Sequence, residues 1–423
     1  MEAGLDQVRA GLSMAVSVSE RIAPAFSALP EIQCRSNDQV EVKWPMYIPA
    51  SPSLNPAQLL KGHSQYLPFP LGSPRKLNFY VARNGIYHLM RSLGSNGGGI
   101  VLAPDYHHGN EIAAMKAAGV KLRYYPVKKN LDLDIEAIES LCDVEPKPRV
   151  LYVTHFIGWP QPMNEIHSLC RNKNLILVED CALSFMSDFE GKPLGTFGAY
   201  AVFCLYKTLP VPNGGVLVAN DKSSSFDLAA HRCPASSVTG PMSELILRWI
   251  RSRYEIPGRA LFAMKRATGR ILTALGIHRM PVGNTGFDLS AVNVGMSPIS
   301  HALLPRFQYE WIKRARQRNF TILRDRLSGK IAVLEKDLGL GVCPLFFPLL
   351  VKDKRAAAAA LAGRGIETVE FWNQGDPESY RSGSHAEFLR RHVLEIPIHQ
   401  DVTQEAAEYM AQQILKLGVG LAA

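Results

Sequence analysis

Short apolar runs alternate with longer amphipathic stretches over residues 76–220. Residues 175–178 form a run of four bulky aliphatic side chains, and similar runs occupy residues 201–206 and 216–219. Uninterrupted apolar runs of this length are typical of strands that are buried on both faces of a sheet. Because amphipathic stretches separate the runs, the pattern predicts βαβ units, a mostly parallel sheet and right-handed crossovers.

Two ionisable residues follow the first two of the runs. Asp180 lies directly after the first run and its neighbouring glutamate, and Lys207 follows the second run, 27 residues later. Open α/β sheets bind ligands at the carboxyl ends of their strands. Pyridoxal phosphate needs a lysine amine that holds it as a Schiff base and a carboxylate that keeps its ring nitrogen protonated. The local pattern also fits an alternative, in which Asp180 caps a helix and Lys207 is a solvated loop residue.

The sequence around these two residues resembles that of a known family. Residues 178–184 read VEDCALS and residues 197–215 read FGAYAVFCLYKTLPVPNGG. Both stretches resemble the core of the DegT/StrS-type (DnrJ-like) sugar aminotransferases, which depend on pyridoxal phosphate and have fold type I. The resemblance extends over most of residues 76–415. It implies a large α/β domain with a mostly parallel seven-stranded sheet between helices, and a smaller C-terminal α+β domain.

The resemblance also implies a phosphate-binding turn near the start of the predicted sheet. Residues 77–81 are predicted to form a strand that leads through a short loop into an amphipathic helix. Such a turn exposes backbone N–H groups at a helix N-terminus. Arg83, Asn84 and Gly85 stand where the family usually has S-G-T-x-A, so we expect backbone contacts from Asn84 and Gly85 first and a side-chain contact from Arg83 second. The alternative for Arg83 is a surface arginine.

Four further positions match family motifs that contact the cofactor. His108 aligns with the phenylalanine that stacks on the cofactor ring, although a histidine at an exposed helix start is the alternative. His155 fits the family's V-H-L-Y-G pattern, and Ser184 matches a serine that follows the aspartate. Asn293 matches an asparagine that reaches across a two-fold dimer to the other subunit's cofactor phosphate, which implies a homodimer with a shared active site; an ordinary turn residue is the alternative.

The sequence departs from the family at two positions near the cofactor. The family's glutamine three residues after the aspartate is Leu183 here. The phosphate-binding serine becomes Val202 or Cys204, depending on the alignment, and neither side chain is a good donor to a phosphate. The resemblance therefore preserves the Schiff-base lysine and the ring-nitrogen carboxylate, whereas the phosphate site is rebuilt.

The composition indicates the class of protein and the compartment in which we expect it. The chain has 423 residues, of which 47% are hydrophobic and 20% charged, which is ordinary for a globular protein. No apolar run approaches the roughly 20 residues of a membrane span, and the N-terminus shows no secretory signal. The seven cysteines are odd in number and lack Cys-x-x-Cys spacing, so we expect free thiols in a reducing cytoplasm and no metal site.

Changes in composition predict three regions. Residues 1–75 are interpreted as an N-terminal arm, residues 76–290 as the large cofactor-binding domain with an insertion at 222–290, and residues 291–423 as a linking helix with the small domain. In the last region the pattern predicts strands and helices, namely strands at 346–351, 366–371 and 393–399 and helices at 355–363 and 403–417.

The insertion is basic and amphipathic. Residues 241–279 carry eight Lys or Arg and two acids, a net +6 out of the +9 of the chain. Such helices suit an anionic membrane surface or an acidic partner. The alternative, which we favour, is an inserted helical pair that packs on its own subunit or across a dimer. Nucleic acid is not expected, because no recognised binding module accompanies the charge.

The sequence as a whole predicts an aminotransferase that uses pyridoxal phosphate. The resemblance implies transfer of an amino group, with glutamate as donor, to a nucleotide-linked keto-sugar in polysaccharide or secondary-metabolite biosynthesis. Two hypotheses compete with this one. The first is another reaction of the same cofactor, such as that of a lyase, epimerase or dehydratase. The second is a catalytically silent paralogue that serves as a binding subunit.

Overall fold

The computed structural model describes residues 46–62, 64, 66–94, 99–221, 231–274, 280, 282, 286–334, 336–370 and 372–422. Most of the predicted N-terminal arm and parts of the insertion, residues 222–230 and 275–279, lie outside these ranges. The predicted domain boundaries therefore stay predictions. In the described part of the chain, no helix is long and apolar enough to cross a membrane.

The strands are short, and those in the centre of the main sheet are buried. They are β1 Lys76–Phe79, β2 Ile100–Pro104, β3 Lys121–Tyr125, β4 Pro148–Thr154, β5 Ile176–Asp180, β6 Asp188–Phe189, β7 Lys192–Pro193, β8 Tyr200–Cys204, β9 Gly215–Ala219, β10 Phe346–Leu350 and β11 Val393–Pro397.

The α-helices lie between and after these strands. They are α1 Ala82–Gly94, α2 Asn110–Ala117, α3 Ile135–Cys142, α4 Met163–Lys173, α5 Leu205–Thr208, α6 Ala235–Arg253, α7 Glu255–Ala274, α8 Pro298–Leu303, α9 Tyr309–Leu327, α10 Lys354–Ala362, α11 His385–His392 and α12 Gln404–Leu417.

The main sheet of the described chain has seven strands in the order β1-β9-β8-β5-β4-β2-β3. The pairs from β8 through β5, β4 and β2 to β3 are parallel, and only β9 runs against its two neighbours. The predicted mostly parallel, seven-stranded sheet is confirmed. Because six strands point the same way, the carboxyl ends of β1, β2, β4, β5 and β8 meet at one edge of the sheet.

The segment after β1 differs from the prediction. Strand β1 ends at Phe79, and helix α1 already begins at Ala82, so Arg83, Asn84 and Gly85 belong to the first helical turn and not to a loop. A Cβ atom on Gly85 would lie 3.2 Å from the Leu217 Cβ atom of β9. The glycine is therefore favoured because the helix packs closely on the sheet, and not because the chain turns there.

The C-terminal part is an α+β unit, as predicted, but with one strand fewer. Strands β10 and β11 form an antiparallel pair, and α12 begins after Thr403, whose side chain accepts a hydrogen bond from the Ala406 N–H group. The predicted strand at 366–371 is reduced to isolated bridges, from Ile366 to Ile48 and from Val369 to Glu395. Because its two ends pair with different segments, no ladder forms along it.

Arg390 joins the C-terminal part to the main sheet. Its side chain is 6% exposed. Its Nη2 atom donates to the carbonyl of Asp105, just after β2, at 2.8 Å. Its Nη1 atom donates to the carbonyls of His107, Trp372 and Gln374 at 2.9 to 3.1 Å. One guanidinium group thus holds the loop after residue 371 against the carboxyl edge of the sheet.

Replacing Arg390 by methionine is expected to lower the free energy of unfolding by about 3 kcal/mol, because buried carbonyl groups lose a charged donor while the aliphatic stem is kept. Urea unfolding followed by circular dichroism would measure the change. Arg391→Met is the matched control, since that side chain is 70% exposed and pairs with Glu387 on the same helix. A loss below about 0.5 kcal/mol is expected for the control, and equal losses in both variants would contradict the role of Arg390.

Candidate active site

A cavity of about 100 Å³ lies at the carboxyl edge of the sheet, and we call it the small cavity. Residues that follow β1, β2, β5 and β8 line it, and Trp372 of the C-terminal part also lies on its wall. Its ionisable side chains are Arg83, His108, Glu111, Asp180, Cys204, Tyr206 and Lys207. The cavity therefore brings together the predicted lysine, the predicted carboxylate, Arg83 and His108.

Lys207 is positioned by the buried strand β8 and a glycine turn. Helix α5 follows β8 without a gap, and the Leu205 N–H group donates to the Gly214 carbonyl at 2.9 Å. A Cβ atom on Gly215 would lie 2.4 Å from the backbone nitrogen of Ala82. Gly215 is therefore required because the chain passes directly against the start of α1, and Gly214 has a φ angle of +150°, which other residues rarely adopt. Lys207 itself is half-buried.

Asp180 is the last residue of β5 and is 5% exposed. Its carboxylate accepts a hydrogen bond from the Ala182 N–H group at 2.9 Å. Burial and the nearby Glu111 carboxylate raise the pKa of Asp180 to about 6, although the Ala182 N–H group and the Lys207 amine act in the opposite direction. A buried carboxylate with a raised pKa is stabilised in its charged form by a cationic partner.

His108 lies on the wall of the small cavity, as the stacking hypothesis requires. Burial first, and then the charges of Lys207, Arg83 and Arg390, lower its pKa to about 4. The ring is therefore neutral near pH 7. Its backbone N–H group donates to the Glu111 carboxylate at 2.9 Å, which fixes the start of α2 beside the cavity.

The three residues predicted for the phosphate site have different surroundings. Arg83 lines the small cavity, whereas Asn84 and Gly85 are absent from its wall in the described structure. The Asn84 amide donates to the Ala291 carbonyl at 2.9 Å. The first turn of α1 still brings Ala82 to the cavity, so the positive end of the helix dipole faces it.

His155 has a set of partners of its own. It is fully buried, and its Nε2 atom lies 3.1 Å from the Glu179 carboxylate. Its Nδ1 atom accepts from the Gln161 N–H group, so Nε2 carries the proton and donates to Glu179. Glu179 also accepts from the N–H groups of Gly195, Phe197 and Gly198. These bonds brace the carboxyl edge, and the predicted role of His155 at the cofactor stays a prediction.

The remaining predicted residues also lie outside the walls of the small cavity. Ser184 is buried, and its N–H group donates to the Cys181 carbonyl at 3.1 Å. Asn293 is half-buried, and its carbonyl accepts from the His231 N–H group at 2.7 Å. The cross-dimer role of Asn293 concerns a second subunit and stays a prediction.

Among the lining residues of the small cavity that were not predicted as site residues, Glu111 and Trp372 bring features that bear on its chemistry. Glu111 brings a second carboxylate next to Asp180. Trp372 packs on Tyr106 with ring centroids 4.5 Å apart, and its φ angle is +64°, which is strained for a bulky residue. Glu111 could have been suspected from its place one turn after His108, whereas the local sequence around Trp372 does not report its contact with the main sheet.

A second cavity of about 820 Å³, the large cavity, lies beside the small one. Tyr206 and Lys207 line both cavities. The walls of the large cavity come from residues 50–52, the loop after α5, helices α6 and α7, and the C-terminal part. The lysine therefore stands between a compact compartment that holds the carboxylates and a roomy one that can hold a larger molecule.

Part of the chain is similar in sequence to known proteins. Residues 82–237 match the model of the DegT/DnrJ/EryC1/StrS aminotransferase family. A GDP-perosamine synthase of Escherichia coli O157:H7 is 32% identical over 147 residues, which are 33% of this chain and 38% of that enzyme. The chain thus spans less than two fifths of the length of the curated relatives that it first matches.

Solved structures share the fold over a longer span. Helicobacter pylori PseC, an aminotransferase involved in the biosynthesis of pseudoaminic acid, has a TM-score of 0.62 at 15% identity and covers 88% of this chain and 98% of its own. The E. coli GDP-4-keto-6-deoxy-D-mannose-3-dehydratase, solved with bound hydrated pyridoxal phosphate, has a TM-score of 0.57 at 16% identity and covers 81% of this chain and 88% of its own. The predicted fold type I architecture is confirmed.

Proposed function

We propose that this protein, whose residues 82–237 belong to the DegT/DnrJ/EryC1/StrS aminotransferase family, is a pyridoxal-phosphate-dependent aminotransferase that acts on a keto-sugar. The observation that carries the proposal is the presence of Lys207 and Asp180 on the walls of one small cavity. Glutamate as the amino donor, a nucleotide-linked acceptor and a homodimer are finer parts of the same proposal.

The side chains of the small cavity fit pyridoxal phosphate. Asp180 is a buried carboxylate with a raised pKa, so a nearby cation would stabilise its charged form. The protonated ring nitrogen of the cofactor would be such a cation. Lys207 supplies the amine that would hold the cofactor covalently. Arg83 and the first turn of α1 would bind the phosphate, which compensates for the family serine that is missing near Cys204. His108 offers a neutral flat ring.

When bound, pyridoxal phosphate supplies an electron-withdrawing ring that stabilises the negative charge left when a substrate C–H bond breaks. Lys207 would act as the base that takes the proton from the amino donor's carbon and as the acid that returns a proton to the acceptor's carbon. Asp180 would keep the ring nitrogen protonated through its negative charge. Leu183 and Trp372 form an apolar side of the cavity and would limit the access of water to the reacting atoms.

The test is a titration of the purified protein with pyridoxal phosphate, followed by absorbance and then by addition of glutamate. A new long-wavelength band that glutamate bleaches is the expected result. A band that no amino donor bleaches would shift the proposal to a lyase, epimerase or dehydratase. The absence of any band at saturating cofactor would overturn the proposal and favour a catalytically silent subunit.

A further inference from the structure

The basic insertion forms one wall of the large cavity. Helices α6 and α7 pack on each other as a hairpin, and we call them the inserted hairpin. The Leu54 N–H group donates to the Leu245 carbonyl of α6 at 3.0 Å. The Arg251 guanidinium lies 3.7 Å from the centre of the Tyr47 ring and 3.6 Å from the Glu367 carboxylate. The hairpin is thus fixed to the segment that begins at residue 46 and to the C-terminal part.

Two cations of the inserted hairpin face the large cavity around a single carboxylate. Arg248 Nη2 lies 2.6 Å from one oxygen of Glu244, and Lys265 Nζ lies 2.8 Å from the other. All three side chains line the cavity. Burial alone would raise the pKa of Glu244, yet Arg248 and Lys265 outweigh burial and hold the pKa below its usual range. The cluster therefore keeps one positive charge in excess.

The remainder of the cavity wall leaves this excess in place. Arg316 is cationic and offsets Glu395, which is the one further acid among the described lining residues. Lys207 is not counted, because the proposed function makes it the covalent anchor of the cofactor. Arg316 is almost fully buried, and its Nε atom has no hydrogen-bond partner in the described structure. Burial lowers the pKa of His399 to about 4, so this histidine is neutral near pH 7 and leaves the excess unchanged. Cationic, partly buried walls of this kind attract anions.

We infer that Arg248 and Lys265 of the inserted hairpin recognise a phosphate or diphosphate group on the substrate whose reacting carbon lies at Lys207. This inference rests on the proposed function, and it makes the insertion a specificity element of the same site. The cavity has room for both ends of such a substrate, because it extends from Lys207 to the hairpin with a volume of about 820 Å³. Glu244 holds the two cations in place until an anion takes its position between them.

The ion pairs of Glu244 with Arg248 and Lys265 contribute little to the stability of the fold. Glu244 and Arg248 are spaced i,i+4 on α6, and all three side chains are 23% to 40% exposed, so solvent screens the ion pairs and their contribution to folding is small. Loss of either cation is therefore compatible with folding. Removal of Glu244 distinguishes a purely structural cluster from an anion site. Only in an anion site would the affinity for diphosphate rise once the carboxylate no longer competes for the two cations.

The experiment is calorimetric titration of inorganic diphosphate into protein that has been saturated with pyridoxal phosphate, which occupies any phosphate site in the small cavity. In R248M/K265M the affinity for diphosphate is expected to fall at least about tenfold. In Glu244→Gln it is expected to rise about threefold, since the competing carboxylate is gone. Arg266→Met, on the exposed face of α7, is the matched control and should change affinity less than about twofold.

The outcomes separate this inference from the proposed function. Absence of the cofactor band contradicts the proposed function, whereas the diphosphate titration of the same samples reports on the hairpin. Unchanged affinity in R248M/K265M, or an equal loss in Arg266→Met, would overturn the inference. If the double variant does not fold, a weaker affinity in Glu244→Gln would overturn it equally well.

Discussion

Replacing Lys207 by alanine is expected to abolish the cofactor absorbance band and to reduce amino transfer at least about 10³-fold. The variant loses both the covalent anchor and the base, and a positioned base alone contributes roughly 10² to 10⁴. The fold should survive, because Lys207 is half-buried on the one-turn helix α5 and the buried strand β8 before it is unchanged. Absorbance with added pyridoxal phosphate measures the first effect, and turnover of glutamate measures the second.

Two further variants sharpen this test. Lys207→Arg keeps a cation beside Asp180 but has no amine that can bond covalently to the cofactor, so we expect the same loss. Lys192→Ala removes an exposed lysine of β7 and should leave both readouts unchanged. Retention of the band in Lys207→Ala would show that another group anchors the cofactor. Equal losses in Lys192→Ala would show that the effect is not specific to Lys207.

Asp180→Asn is expected to have opposite effects on the cofactor-free and the cofactor-loaded protein. The cofactor-free protein should become more stable at neutral pH, because the folded state no longer contains a buried, ionised carboxylate. The loaded protein should lose amino transfer about 10²-fold or more, because an amide does not hold the ring nitrogen protonated. The substituted asparagine side chain keeps an oxygen for the Ala182 N–H group, so the turn after β5 is preserved.

The stability gain has a defined pH dependence. Since the pKa of Asp180 is raised in the folded protein to about 6, folding favours the protonated form. The contribution of this group to stability is fully present below the pKa of the unfolded chain, near about 4, and is lost as the pH rises through the folded pKa. The variant should therefore match the wild type near pH 4 and exceed it by about 3 kcal/mol at pH 8.

Urea unfolding of cofactor-free protein at about pH 4.5 and about pH 8 measures this difference. A variant that is less stable than the wild type at the higher pH, or a gain that is the same at both pH values, would contradict the account of Asp180. Thermal unfolding with saturating pyridoxal phosphate should then show the reverse order, since the cofactor stabilises the wild type by mass action and the variant much less.

The parts of the site that lie directly after buried strands could be predicted from the sequence. Asp180 and Lys207 each follow an apolar run, and parallel strands bring their carboxyl ends to one edge. Family resemblance extended the same logic to Arg83 and His108. All four lie on the wall of the small cavity. Each of these residues lies at or shortly after the end of a strand, so the sequence around it was enough to predict its position.

Residues whose role depends on distant packing could not be predicted. Trp372 lies at the small cavity on a loop whose carbonyl accepts a hydrogen bond from Arg390. Arg248 lines the large cavity on α6, which docks on the segment around Leu54. The local pattern of hydrophobic positions does not predict such contacts between distant segments. Gly85 shows a related ambiguity, since a glycine is required equally by a turn and by a close helix contact. The sequence showed that the insertion is basic, but it did not show that Arg248 and Lys265 line the same cavity as Lys207.

The bond from Arg390 to Asp105 has a consequence for how the protein is made. The two residues are 285 positions apart, so the strands of the main sheet leave the ribosome long before the arginine does. Domains fold in the order in which they are synthesised. In a nascent chain that has not yet reached Trp372 and Arg390, Lys207 therefore lies at a sheet edge that lacks this part of its wall. The tryptophan side of the small cavity can be fixed only after Arg390 has been synthesised, so Lys207 acquires its final surroundings later than the strand that carries it.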